Sequence, residues 1–204
     1  MKKFTLIAIL GCIMAAVSFT SCNSDSDSSY QSLTPAEVQQ CFLATQGYHN
    51  GKMIYPSVNK ANINDKNDTV QASWVITTDS TMTIYNFPSK AVAEAISGND
   101  ELKNAIANHP DQTITCAIGY VTLTPIQFLI GPNNVTYNVE YGGSSHKVEL
   151  AFYWNSYSFG QFAPSAKYPM LMQIFAAQMK VDGNQTSYGI TPSSPVPYCF
   201  YTEK

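Results

Sequence analysis

The chain has 204 residues, with 11 Lys+Arg against 14 Asp+Glu and 45% hydrophobic content. That is too apolar and too weakly charged for a disordered chain, and the length suits a single globular domain. Every basic residue is Lys, the net charge is −3, and the lysines are scattered singly beyond residue 3. Without Arg or a basic patch, these features argue against a nucleic-acid partner and against a polybasic membrane-binding surface.

Lys2 and Lys3 precede an apolar run, Phe4 to Val17, that is too short to span a bilayer but has the length of a secretory leader. Ser18, Thr20 and Ser21 follow, then Cys22. This ending resembles a bacterial lipoprotein signal in the loose form used by Bacteroidetes, with Phe19 where Leu is usual. The resemblance implies cleavage after residue 21 and lipid attachment to Cys22. Asn23 to Ser29 contains no apolar side chain, so residues 22–32 form a flexible Ser/Asp tether and 33–204 a single β-rich domain. The acidic tether resembles the segment that directs such lipoproteins to the cell surface. A plain spacer facing the periplasm is the alternative.

Thr34-Pro35-Ala36-Glu37 has the spacing of a capping box, with Pro at the first helical position and Leu33 and Val38 placed as a hydrophobic staple. It predicts a helix over 35–45 that buries Val38, Cys41 and Phe42 and stops at Gly47. In 89–108, Ala91, Val92, Ala95 and Ile96 form one stripe, and Leu102, Ala105 and Ile106 repeat it after Gly98. Two short helices with a glycine break are expected, the second capped by Asn99 and stopped by Pro110.

The remaining runs are β-prone and separated by Asn, Asp, Gly and Pro: 47–58, 70–78, 81–87, 113–120, 127–130, 135–141, 146–154, 170–181 and 197–202. The run 170–181 satisfies helical and strand periods alike and is read as a strand. In 135–154, a two-residue turn at Gly143-Ser144 would set Tyr141 opposite His146, Val139 opposite Val148 and Glu140 opposite Lys147. Many short strands with regular turn signals predict a mainly β fold, an antiparallel barrel or sandwich.

Four phrases carry a family resemblance: Leu33-Thr34-Pro35-Ala36-Glu37, Gln46 to Lys52, Ile84 to Pro88, and Glu149-Leu150-Ala151-Phe152. They resemble a domain-of-unknown-function family of Bacteroidales lipoproteins, lipocalin-like in part. Tyr48 stands where the opening strand of lipocalins has Trp. The resemblance implies an envelope address and a β-rich fold, and it implies no activity.

His49, His109 and His146 show no metal-ligand spacing, and no phosphate loop, nucleophile elbow or dinucleotide fingerprint is present. Neither a cofactor nor a metal is expected. Glu140 and Glu149 on neighbouring strands are the best carboxylate pair, and a solvated face explains them better than glycosidase chemistry. Of five cysteines, Cys41, Cys116 and Cys199 lie in the body, an odd set that allows at most one internal bridge. Asp68-Thr69-Val70 and Asp79-Ser80-Thr81 resemble a short O-glycosylation acceptor of exported Bacteroidetes proteins.

The densest aromatic stretch runs from Phe152 to Phe162. Aromatic faces beside Asn, Ser and Gln stack on sugars and bond their hydroxyls. Tyr153, Trp154, Tyr157 and Phe159 are the candidate ligand contacts. The expected function is a non-enzymatic, outer-membrane-anchored binding module for a glycan, lipophile or protein. The alternatives are an accessory subunit of an envelope complex and a hydrolase with an unrecognised site. A deep apolar cavity favours the first reading. A filled core with an exposed apolar patch favours the second.

Overall fold

The computed structural model describes residues 32–57, 66–154 and 157–203. The expected leader (1–21), Cys22 and the acidic stretch 23–29 lie outside the described residues. Three helices are described, α1 (Pro35–Thr45), α2 (Ser89–Ala93) and α3 (Asp100–Ala107). The strands are β1 (Gly47–Pro56), β2 (Asn67–Thr78), β3 (Thr81–Phe87), β4 (Gln112–Leu123), β5 (Ile126–Pro132), β6 (Val135–Tyr141), β7 (Ser144–Phe152), β8 (Phe159–Phe162), β9 (Met170–Val181), β10 (Asn184–Gln185) and β11 (Val196–Tyr201).

β1 to β5 form a meander, β8 adds to β5, and β9 adds to β8. β11 then pairs with β9 on one edge and β1 on the other, closing eight antiparallel strands into a barrel. Closure leaves no room for the sandwich alternative. Strand alternation sends Met53, Trp74, Met82, Phe128, Met170, Met172 and Phe200 inward, and all seven are at most 1% exposed. The lumen is therefore filled by side chains, as eight-stranded barrels permit. Trp74 meets Phe200 edge-on at 6.0 Å and donates its Nε1–H to the Met170 sulfur at 3.2 Å.

α1 covers one end of the barrel. The capping box is formed in full, with Glu37 N–H donating to Thr34 Oγ1 at 3.3 Å and Thr34 N–H donating to Glu37 Oε2 at 2.8 Å. Cys41 is fully buried, and Leu33, Val38 and Phe42 pack against the core, as the staple and stripe require. Thr45 hydrogen-bonds Tyr120 of β4 through their hydroxyls. α2 and α3 cover the opposite end with Ala91, Val92, Leu102 and Ile106, beneath which Phe87 meets Tyr198 at 4.9 Å. Asn99 caps α3 by accepting Leu102 N–H at 2.9 Å.

The β6–β7 hairpin extends from the barrel, with β7 joined to the C-terminal half of β9 and α3 packed on β6. Its register differs from the expected one by two residues: Tyr141 pairs with Ser144, Val139 with His146, Tyr137 with Val148 and Val135 with Leu150. The turn is Gly142-Gly143, both at positive φ (59° and 77°). A two-residue turn with both residues left-handed matches strand twist, and the Gly-Gly pair adopts it without a Cβ penalty. A shift of two preserves faces, so the apolar side stays inward. Glu140 now faces Ser145, so it does not pair directly with Lys147.

β9 is buried on both faces along most of its length. Its inner side fills the lumen, while its outer side carries Leu171, which joins Ile54, Cys199 and Tyr201 in a small cluster outside the barrel. β8, inside the aromatic stretch Phe152 to Phe162, is a four-residue strand held between β5 and β9. Cys41, Cys116 and Cys199 are all free and buried, and burial pushes the Cys116 and Cys199 thiols up to about 12. Such thiols are inert.

Candidate functional site: an aromatic platform on the barrel wall

β5 alternates, with Phe128 and Ile130 inward and Leu129 and Gly131 outward. Gly131 has no side chain to cover its strand, and the Trp154 ring lies there instead. A Cβ on Gly131 would fall 2.8 Å from Trp154 Cε2. Trp154 Nε1–H donates to Pro132 O at 3.0 Å, which locks the ring against the wall. Even so, Trp154 is 65% exposed, the most exposed large apolar side chain among the described residues. One face rests on backbone and the other meets solvent.

Tyr157, from the same aromatic stretch, is 47% exposed, with its ring 5.3 Å from that of Tyr153 and 5.9 Å from that of Phe175. Tyr153 donates its hydroxyl to Pro192 O at 3.1 Å. Leu129, 40% exposed, extends the surface. The polar neighbours on the same wall are amides: Gln127 Nε2 donates to Gln161 Oε1 at 3.2 Å, and Gln173 Nε2 to Tyr157 O at 2.9 Å. These platform and wall residues carry no charge.

Of the four expected aromatics, Tyr153 and Tyr157 lie ring to ring, and Trp154, the next residue after Tyr153, is exposed on the β5 wall. Phe159 does not join them as an exposed contact. It pairs with Leu129 on one side and Gln173 on the other, so its ring is part of the barrel wall at 8% exposure. Gly131 and Leu129 escaped the sequence reading, although a glycine inside a strand is a signal of close approach by another group.

The histidines take separate places. His49 Nε2 donates to Thr45 O at 2.8 Å and stacks on Trp74, tying α1 to β1. His109 sits edge-on to Tyr137 at 5.1 Å and accepts from Gln112. His146 pairs with Asp182 at 2.7 Å. The register separates Glu140 from Glu149 by roughly 13 Å along the strands, beyond the spacing of about 5–9.5 Å in glycosidase pairs. Among the described residues no group of three or more His, Cys, Asp and Glu is placed to hold a metal. Thr69 Oγ1 is buried, whereas Ser80 is exposed in the β2–β3 turn.

These features define a small closed β-barrel with a filled lumen and a fixed aromatic surface. The chain belongs to the family described as a domain of unknown function, DUF4840, whose profile matches residues 44–181. The matched segment contains the platform's Gly131, Tyr153, Trp154 and Tyr157, while α1 falls almost wholly outside it and the closing strand β11 entirely so. No curated protein and no solved structure matches the chain.

Proposed function

We propose that this protein is a non-catalytic binding module, anchored to the outer membrane through lipid on Cys22 and exposed at the cell surface, which binds a neutral glycan on the Trp154 platform. The observation that carries the reading is the ring of Trp154, held flat over Gly131 by its bond to Pro132 O with its other face open. A preorganised ring offers stacking area with little ordering entropy. The amides of Gln127 and Gln161 on that wall and the phenol of Tyr157 suit hydroxyls better than ions. The filled lumen weighs against a lipophile inside the barrel.

The filled lumen together with an exposed apolar patch also supports a second reading, an accessory subunit whose platform meets a protein. A glycan array with the purified protein tests the choice. Saturable binding to neutral glycans that weakens about tenfold or more in Trp154→Ala and Tyr157→Ala supports the first reading. Glycan binding that both variants retain removes the platform. No binding to the array, with cross-linking to an envelope protein through residue 154, supports the second. Turnover of a hydrolase substrate that disappears with one carboxylate or His would overturn the non-enzymatic reading. The anchor is tested separately by labelling cells with a palmitate analogue, where equal labelling of Cys22→Ser refutes it.

A further inference from the structure

The tip of the β6–β7 hairpin, far along β7 from Trp154, carries a second concavity. It has a volume of about 380 Å3 and is lined by Tyr141, His146, Asp182, Asn184, Gln185 and Tyr188, among others. That volume lies at the small end of ligand pockets.

His146 is its best-positioned group. Nδ1 lies 2.7 Å from Asp182 Oδ2, and the Tyr141 ring stacks on the imidazole at 4.2 Å. Bonding to a carboxylate places the proton on Nδ1 in the neutral ring and leaves a lone pair on Nε2. Among the described residues, no protein group hydrogen-bonds Nε2. Asp182 is itself held: its Oδ1 accepts Lys147 N–H at 2.9 Å, and its own N–H donates to Lys147 O at 2.8 Å. It sits at φ 51°, a left-handed conformation uncommon for a residue with a Cβ. Outliers of this kind cluster at sites.

Both oxygens of Asp182 are thus committed. The uncharged groups that remain in the cleft are the Nε2 acceptor, the Gln185 amide, the Ser187 hydroxyl and two phenol rings, while the Asn184 amide donates to Asp182 O at 3.3 Å and the Thr186 hydroxyl to Met179 O at 3.5 Å. With a neutral imidazole, Asp182 leaves one negative charge in the cleft, which repels anions. Uncharged donors and acceptors beside aromatic walls then match a ring that carries hydroxyls on its edge and C–H groups on its face. We propose that this tip cleft is a second ligand site, which takes one neutral, hydroxyl-rich unit such as a sugar ring. It does not depend on the wall platform.

Side-chain NMR of the purified protein tests this with N-acetylglucosamine, methyl glucoside and myo-inositol as probes, and acetate as the ionic control. The expected result is a saturable shift of the His146 Cε1–H and Tyr188 ring signals with at least one neutral probe and none with acetate. His146→Ala should weaken that binding about tenfold or more. His146 also pins the tip, so Gln185→Ala, an exposed position outside the His146–Asp182 pair, is measured in parallel and should weaken it as well. Trp154→Ala should leave it unchanged, which separates this site from the platform. The proposal is overturned if no neutral probe shifts these signals, if acetate shifts them equally, if Gln185→Ala binds as the parent does, or if Trp154→Ala abolishes the effect.

Discussion

Gly160 and Gly131 form a matched pair of perturbations with opposite expected consequences. A Cβ at Gly160 would lie 2.3 Å from Phe128 Cζ, and one at Gly131 would lie 2.8 Å from Trp154 Cε2. Neither glycine has positive φ, so Ala suits both backbones. Phe128 has zero exposure inside a filled lumen and nowhere to go. Gly160→Ala therefore overpacks, costing about 1–3 kcal/mol. Restricting the unfolded chain offsets about 0.4–1 kcal/mol. The net loss, centred at about 1.3 kcal/mol and reaching about 2.6 kcal/mol, lowers Tm by about 3–5 °C at its centre in a chain of this size. Trp154 in Gly131→Ala can swing into solvent, losing only its bond to Pro132 O, about 0.5–1.5 kcal/mol, so stability stays within about 1 kcal/mol of the parent. Thermal unfolding measured beside acrylamide quenching reads both effects. Trp154 is the exposed member of two tryptophans, and Trp74 is fully buried. Gly131→Ala should increase quenching and weaken platform binding, and Gly160→Ala should only lower Tm. A Gly160→Ala variant as stable as the parent would refute the packing argument. Gly131→Ala with unchanged quenching would refute the locked ring.

The Tyr198 hydroxyl is buried without a partner among the described residues, so Tyr198→Phe should leave Tm unchanged or raise it; a loss beyond about 1 kcal/mol in denaturant unfolding contradicts this. Burial first, and then Asp68, pushes the Tyr55 phenol up to about 12, and burial raises Tyr137 and Tyr198 too. Their neutral forms stabilise the fold fully below the unfolded value of about 10, and that contribution is lost as pH rises through the folded values. Ultraviolet titration should therefore show some phenols ionising only as the protein unfolds; a single step with near-ultraviolet dichroism intact would contradict the buried phenols. Asp182 is held below the usual carboxylate range by His146 and then by Lys147 N–H. Its contribution is present above about pH 3.9 and lost as pH falls through its lower folded value. Amide protection at 182–186, taken relative to intrinsic exchange at the same pH, should fall in acid, and in Asp182→Asn it should be low at every pH; protection kept in that variant would rule out this contact.

What could be read in advance depended on how local the cause was. The Thr34–Glu37 box, the Gly98 break and the Asn99 cap each act within four residues, and each stands where the pattern puts it. The hairpin's faces were legible because alternation survives a shift of two, but its register was not. Gly142-Gly143 and Gly143-Ser144 both satisfy a two-residue turn that matches strand twist, so the local pattern left the register open. β9 read ambiguously because an outer cluster buries the face that alternation would leave wet. β8 has four residues and a glycine, and only its partners β5 and β9 make it a strand. At the platform, the aromatic run exposed its candidates, yet the same run supplied Phe159 to the wall. His146 and Asp182 stand 36 residues apart and meet only through the β7–β9 pairing, which no local pattern encodes.

β11 follows the other described strands in chain order, and among them it alone joins the meander's first strand to β9. Until Val196–Tyr201 is present, β1 and β9 each keep a row of unmatched amides and carbonyls. Met53 waits for Phe200, well over half the chain away, so ring closure is a slow, non-local search. A chain stopped before Val196 is left with two sticky edges that can recruit each other from neighbouring copies. Supplied as a separate peptide, 196–203 would be the natural competitor for that seam.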